Sequence, residues 1–269
     1  MAELSQHLFN VPVWFSNALA ICFGLVVGSF LNVVVGRLPE KKSIIKPPSH
    51  CPKCLTPIKW YDNVPVLGWL WLGGKCRSCK TPISVRYAVI ELLTALLFLT
   101  AKLKFGWEPM LIIRDWPWIS LLIAITFIDL EHRIIPDELS LGGLCLGLLT
   151  AHWVPGLGLI QSMAGAAIGF GVFYGIAWFY QWRTGSSGLG GGDIKLLAML
   201  GAFLGPFGVL ATILISSLAG SVIGIAWAMI TRQKSVMKVS IPYGPFLVIG
   251  GLYYYLLGDG LWSLFTIPT

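Results

Sequence analysis

Four of the six cysteines in this chain stand in two pairs, Cys51-Pro-Lys-Cys54 and Cys76-Arg-Ser-Cys79, with 21 residues between the pairs. Each C-x-x-C turn can aim two thiolates at one point, and two such turns complete a tetrahedral sulfur site for zinc. Four thiolates leave no open position for water or substrate, so the expected role is structural. Disulfides are the competing reading, and the charge pattern described below disfavours them by placing the segment in a reducing compartment. Lys53, Lys75, Arg77 and Lys80 flank the pairs and are expected to stabilise the thiolate charge. Cys22 and Cys145 fall inside apolar runs, where inert, buried packing is the expectation.

Two aspartates carry the second constellation. Ile125-Thr-Phe-Ile-Asp129 closes one apolar run, and Gly190-Gly-Gly-Asp193 opens another. A carboxylate beside hydrocarbon is costly, so such residues signal function. Two carboxyls sharing one proton can activate a water: the base form takes its proton while the acid form polarises a peptide carbonyl and assists the leaving amine. The glycines before Asp193 admit unusual dihedrals and the close approach of a substrate backbone. Taken singly, each feature has a plain structural reading. Asp193 would serve as a helix N-cap, Asp129 would pair with Arg133 at i,i+4, and the glycine run would be a linker or helix-packing motif. Asp137, directly after Pro136, is read as the N-cap of the next helix.

The elements that must position these residues are apolar helices. Hydrophobic residues make up 56% of the 269 and charged residues 12%, against roughly a quarter charged in soluble domains. Spans are expected near Trp14–Gly36, Tyr87–Ala101, Leu111–Leu130, Leu139–Trp153, Gln161–Trp182, Ile194–Leu204, Phe207–Ile230 and Tyr243–Leu257. The fourth and sixth are short for a bilayer core of about 30 Å. The expected fold is an all-α polytopic membrane protein of about eight transmembrane helices, with a small zinc-stapled module inserted after the first. No Lys or Arg precedes the first span, whose length suits a retained helix rather than a signal peptide.

Charge sets the orientation, because cytoplasmic loops accumulate Lys and Arg. Ten of the 19 basic residues, Arg37 to Arg86, lie between the first two spans. With eight spans, Arg133, Arg183, Lys195, Arg232, Lys234 and Lys238 also fall inside, and only Lys102, Lys104 and Arg114 outside. The net charge of +7 is thus a topological signal, and no nucleic-acid partner is expected from it. Residues Leu38–Val85 break the apolar pattern with seven prolines and Gly73–Gly74, as turns and short strands do. So small a module needs a staple such as zinc. The domains expected are 1–37, the module 38–86, and the helical remainder 87–269.

In order along the chain stand Gly28-Ser-Phe-Leu-Asn-Val33, Arg37-Leu-Pro39, the cysteine pairs with Asp62-Asn63 between them, and Arg86-Tyr87 with Glu91. Asp129 with Ile135-Pro136-Asp137, Gly190-Gly-Gly-Asp193-Ile-Lys195, and Ile241-Pro-Tyr-Gly-Pro245 follow. This set resembles the bacterial type IV prepilin peptidases, nearly end to end. The resemblance implies that Asp129 and Asp193 are the catalytic pair of a membrane aspartyl protease and that Cys51, Cys54, Cys76 and Cys79 bind metal. Implied too are prepilin or pseudopilin substrates of a type IV pilus or type II secretion system, cut at the cytoplasmic face of the bacterial inner membrane. The same resemblance implies methylation of the new amino terminus by S-adenosylmethionine, although no residue of the chain is assigned to that cofactor. Membrane lipid is the surrounding partner, and the oligomeric state is not read from the sequence. A presenilin-like intramembrane protease would share the Asp193 motif, but no Pro-Ala-Leu sequence stands near the end of the chain. A proton-coupled transporter or scaffold would also use intramembrane acids, but would need no such ordered motif set.

Overall fold

The computed structural model describes residues 11–186, 188–230 and 242–265, of which 227–228 and 259–265 are described by backbone alone. Arg232, Lys234, Lys238 and Ile241, used above, lie outside the described residues. Regular structure among the described residues is helical, with two isolated bridges, His50 to Pro57 and Lys75 to Pro82. The chain divides into two compact units, Met1–Ile123 and Ala124–Thr269.

In the first unit, α1 (Val13–Arg37) packs along α3 (Arg86–Phe105). Gly24 and Gly28 make that contact backbone-close. A Cβ on Gly24 would lie 2.5 Å from the Ala95 Cα, and one on Gly28 2.6 Å from the Glu91 Cα. Lipid tails are as apolar as the helices themselves, so van der Waals contact of this kind and interhelical hydrogen bonds drive the pairing. Asn32 Nδ2 adds one such bond to the Tyr87 carbonyl, 3.1 Å away. The inserted segment holds a 3₁₀ turn (Trp60–Asn63) and the short helix α2 (Leu67–Trp71). It is tied to α3 by the Val66 N–H, which donates to the buried Glu91 carboxyl at 2.6 Å. Val66 adopts φ 60 to do so, an unusual conformation for a β-branched residue. A π turn (Leu111–Asp115) leads into α4 (Trp116–His132), where Trp116 stacks on Phe98 with ring centroids 4.8 Å apart.

The second unit contains the end of α4, then α5 (Asp137–Thr150), α6 (Gly158–Thr184), α7 (Gly191–Ile230) and α8 (Gly244–Phe265). Proline lacks the helical N–H and disfavours helical dihedrals at the preceding residue. Gly205, before Pro206, accordingly takes φ 71 and ψ −178 and bends α7. The sixth and seventh expected spans are therefore distinct helical segments that meet without a loop at Gly205-Pro206. The first half buries Leu196, Leu197, Met199 and Leu200 completely and packs on α6. There Gly165 and Gly201 face each other so closely that a Cβ on either would overlap the other's carbonyl oxygen. Ser162 Oγ donates to the Ala202 carbonyl at 2.6 Å across the same seam. The second half receives α8 at Gly250, whose Cβ would stand 2.7 Å from the Thr212 carbonyl oxygen.

All eight segments expected as spans are helical in whole or in large part. Among the described residues, four helices are long and apolar enough to cross a membrane: Val13–Arg37, Leu111–His132, Gly158–Thr184 and Gly191–Ala226. Charged Arg86, Glu91, Lys102 and Lys104 separate α3 from that group. The 14 residues of α5 extend about 21 Å at 1.5 Å per residue. Large apolar side chains such as Phe23, Phe30, Ile176, Trp178, Leu214 and Leu218 point outward, as in a protein whose solvent is lipid. Cys22 and Cys145 share that exposure. This corrects the expectation that both are buried: an apolar run in a membrane helix has outward positions that a thiol can occupy as readily as a methyl group.

The Gly165–Gly201 contact generates a stability prediction. Gly165→Val should lower the thermal midpoint of the detergent-solubilised protein by the equivalent of about 1–3 kcal/mol of overpacking, or prevent folding. Gly171→Ala on the same helix, where a Cβ meets nothing within 4 Å, should leave the midpoint unchanged or raise it.

Candidate active site and metal centre

The two cysteine turns are copies of each other. Cys51 N–H donates to the Thr56 carbonyl at 3.0 Å and Cys76 N–H to the Thr81 carbonyl at 2.8 Å. Leu55 N–H and Lys80 N–H return to Cys51 and Cys76 carbonyls at 2.9 and 3.0 Å. Leu55 and Lys80 share φ 57. The sequence carries the signal for this duplication, since Cys51–Ile58 and Cys76–Ile83 both read C-x-x-C-x-T-P-I. Thr56 and Thr81 are neighbours of the sulfurs that the C-x-x-C spacing alone does not disclose. Their Oγ1 atoms lie 3.3 Å from Cys54 Sγ and Cys79 Sγ.

The four sulfurs all fall within 4.8 Å of one another. Cys51 and Cys79 Sγ are 3.7 Å apart, and Cys54 and Cys76 Sγ 3.9 Å apart. A tetrahedron with metal–sulfur bonds of about 2.3 Å has edges of about 3.8 Å, so the donor set fits a four-thiolate ion. Side-chain and then backbone hydrogen bonds from Thr56 lower the Cys54 thiol's pKa. The same pair of bonds from Thr81 lowers that of Cys79 to about 6. Arg77 does not serve the thiolates as expected. It forks onto Asp62, with Nε 2.7 Å from Oδ2 and Nη2 2.5 Å from Oδ1. Hydrogen bonding to Arg77 holds the Asp62 carboxyl below its usual range. Planar fork geometry suits this bidentate contact, which ties the second cysteine turn to the 3₁₀ turn Trp60–Asn63.

Asp129 and Asp193 both belong to the second unit. Asp129, in the last turn of α4, is 5% exposed. Its Oδ2 accepts the Gly244 backbone N–H at 3.0 Å. Gly244 opens α8, and a Cβ there would stand 2.6 Å from that oxygen, so only glycine permits the approach. Tyr243 helps to seat this end of α8 through its hydroxyl, 2.9 Å from Ser216 Oγ on α7. Asp193 lies half-buried in the first turn of α7, where its N–H donates to the Gly190 carbonyl at 3.1 Å. The Asp193 carboxyl curls back over Gly190, where a Cβ would stand 3.0 Å from Oδ2. Asp129 and Asp193 are near enough to interact electrostatically.

Asp137 is not the N-cap expected. Pro136 occupies that position, no side-chain cap bond forms, and Asp137 begins the first turn of α5. Its two carboxylate oxygens instead accept from Lys195 Nζ at 2.6 and 2.7 Å. The adjoining Ile135 touches both aspartate-bearing regions. It fills the space that a side chain on Gly192 or Gly244 would occupy. Sequence spacing places Asp137 and Lys195 in separate motifs and gives no sign of their pairing.

Comparison with known proteins settles the family. Residues 22–105 match the bacterial peptidase A24 N-terminal domain, and residues 117–225 match the type IV leader peptidase family. The chain is 38% identical over 301 aligned positions to a prepilin leader peptidase/N-methyltransferase of Aeromonas salmonicida strain A449, covering 99% of this chain and all of the relative. This chain belongs to the type IV leader peptidase family. Further relatives carrying the same name come from Pseudomonas aeruginosa, 37% identical with 95% of each chain covered, and Myxococcus xanthus strain DK1622, 39% identical over 83% of this chain and 68% of the relative. No solved structure matches the chain. As a leader peptidase, the protein combines the two constellations that the resemblance singled out: a four-cysteine cluster and, in the second unit, a pair of interacting aspartates.

The hydrogen bonds from Thr81 lower the pKa of the Cys79 thiol to about 6. In metal-free protein, Cys79 should alkylate with a midpoint near pH 6. Because the hydroxyl stabilises the thiolate, Thr81→Val should move that midpoint toward the ordinary thiol value of about 8.5. Mass-spectrometric alkylation profiles between pH 5 and 9 read the shift.

Proposed function

We propose that this protein is a membrane aspartyl endopeptidase that removes the basic leader of type IV prepilins and pseudopilins, with Asp129 and Asp193 as its catalytic pair. One observation carries the reading. The end of α4 and the start of α7 bring two carboxyls near enough to interact electrostatically, in a chain that aligns end to end with prepilin leader peptidases. One aspartate, ionised, takes a proton from water as that water attacks the scissile carbonyl. The other, protonated, hydrogen-bonds the carbonyl oxygen and later delivers a proton to the leaving amine. The Gly244 N–H holds Asp129 by Oδ2 and leaves Oδ1 for the reaction.

The excess of Lys and Arg between α1 and α3 supports an orientation with the cysteine module and the dyad on the cytoplasmic side of the bacterial inner membrane. A prepilin has a basic leader on that side and an apolar helix in the bilayer, so a dyad at the membrane edge meets their junction. The module 38–86 and the helical remainder 87–269 are proposed as its working parts. Cys51, Cys54, Cys76 and Cys79 would hold a structural zinc. S-adenosylmethionine supplies the methyl group for the second reaction, N-methylation of the freed amino terminus.

Incubating detergent-solubilised protein with a prepilin and S-adenosylmethionine, then weighing the amino-terminal product, tests both reactions. The expected mass is that of the chain cut after the leader and carrying one methyl group. A cut inside the apolar helix would instead favour an intramembrane protease.

Two outcomes follow. Asp129→Asn and Asp193→Asn should each reduce cleavage by about 10²–10⁴, with the double variant little worse than either, because groups acting as a unit are non-additive. Near wild-type cleavage by either single variant rules out the dyad. Metal analysis should find about one zinc per chain by the four-thiolate rule, and a Cys51→Ser/Cys54→Ser variant should lose it. Full zinc retention in that variant would exclude this ligand set.

A further inference from the structure

We propose that Asp137 and Lys195 form a positioning ion pair that holds Asp129 and Asp193 at their working separation, an inference that rests on the dyad reading above. Asp137 follows Asp129 by eight residues and Lys195 follows Asp193 by two, so each member of the ion pair travels with one aspartate. Between Asp129 and Asp137 the helix stops: Arg133 takes φ 55, and the chain runs as irregular backbone to Pro136. Such a segment transmits position poorly unless both ends are fastened. The Gly244 N–H fastens one end by bonding Asp129 at 3.0 Å. The Lys195 ammonium fastens the other by bonding both Asp137 oxygens at 2.6 and 2.7 Å.

Ile135 completes the strap between these points. Its Cβ lies 2.8 Å from where a Gly192 Cβ would stand, and its Cδ1 3.3 Å from the equivalent point on Gly244. One side chain thus lies against the residue before Asp193 and against the residue that donates to Asp129. Any shift of this segment changes the spacing of the two carboxyls.

Energetics separate this role from a general structural one. The Asp137 and Lys195 side chains are 57% and 34% exposed, and ion pairs with that much exposure add little to overall stability. Catalysis is far more sensitive, since a misplacement of about 1 Å can cost about 10²-fold. Removing the ion pair should therefore slow turnover without unfolding the protein or weakening substrate binding. The ammonium, occupied by Asp137, is a positioning group and not a catalytic one.

The test uses the purified full-length enzyme with a prepilin substrate, measuring kcat, KM and thermal midpoint. Asp137→Asn and Lys195→Met should each lower kcat by about 10- to 100-fold, with KM and the thermal midpoint near wild type. Lys195→Arg should retain most activity. The exchanged double variant Asp137→Lys/Lys195→Asp should recover much of the kcat lost by either single variant. The inference is overturned if the single variants turn over normally, if their loss follows the melting temperature, or if the exchange recovers nothing. Asp129→Asn and Asp193→Asn, assayed alongside, separate the two readings. Full activity in those variants removes the dyad itself, whereas dead dyad variants beside fully active Asp137→Asn and Lys195→Met remove only the positioning role.

Discussion

A carboxyl group buried at the end of an apolar helix must find a hydrogen-bond donor, and in the second unit that donor is a backbone N–H. Asp129 is 5% exposed and accepts from Gly244. The contact requires the first residue of α8 to come within 3.0 Å of the last turn of α4, and it forbids a side chain there. Much of the unit's architecture serves this approach. α8 rests on the second half of α7 through Gly250, and the Tyr243 hydroxyl anchors its start on Ser216. An unpartnered buried carboxylate would be far more costly than any one of these contacts.

Glycine's small size also decides how the helices associate. In an apolar solvent, burial of apolar surface gives little drive, so helices gain by bringing backbones together. Gly24 and Gly28 do this between α1 and α3, and Gly165 and Gly201 between α6 and α7. The bend at Gly205-Pro206 gives α7 two directions. Its first half faces α6 and carries Asp193 in its first turn, while its second half receives α8. One helix thereby links the position of Asp193 to that of the donor for Asp129.

The cysteine module solves a different problem, folding with almost no apolar core. Two copies of one turn each satisfy their own backbone and present two sulfurs, at edge lengths that suit a tetrahedral ion. The Arg77–Asp62 fork ties the second of them to the 3₁₀ turn Trp60–Asn63. Threonine hydroxyls beside Cys54 and Cys79 favour the thiolate form, the form that a metal requires. The same module is joined to α3 by the strained Val66 and the buried Glu91.

Several features were legible in the sequence because they depend on residue type and local spacing. Apolar runs of helical length announced the helices, paired C-x-x-C turns the metal cluster, and acids at the ends of apolar runs the candidate dyad. The family resemblance likewise rested on motifs contiguous in sequence. Other features depend on distances between residues far apart in the chain, which spacing does not encode. That Asp129 would be held by Gly244, 115 residues away, required the packing of α8 on α7. The expected break between the sixth and seventh spans stands at Gly205, yet no loop separates them, because Gly205 adopts a positive φ in front of Pro206. The outward placement of Cys22 and Cys145 followed from which helix faces found partners. Asp137 has the sequence position of a cap, yet the fold carries Lys195 to its carboxylate across 58 residues. Local chemistry was thus determined by the sequence itself, while the tertiary structure alone decided which groups would meet, because hydrogen bonds and ion pairs are chosen by proximity in space.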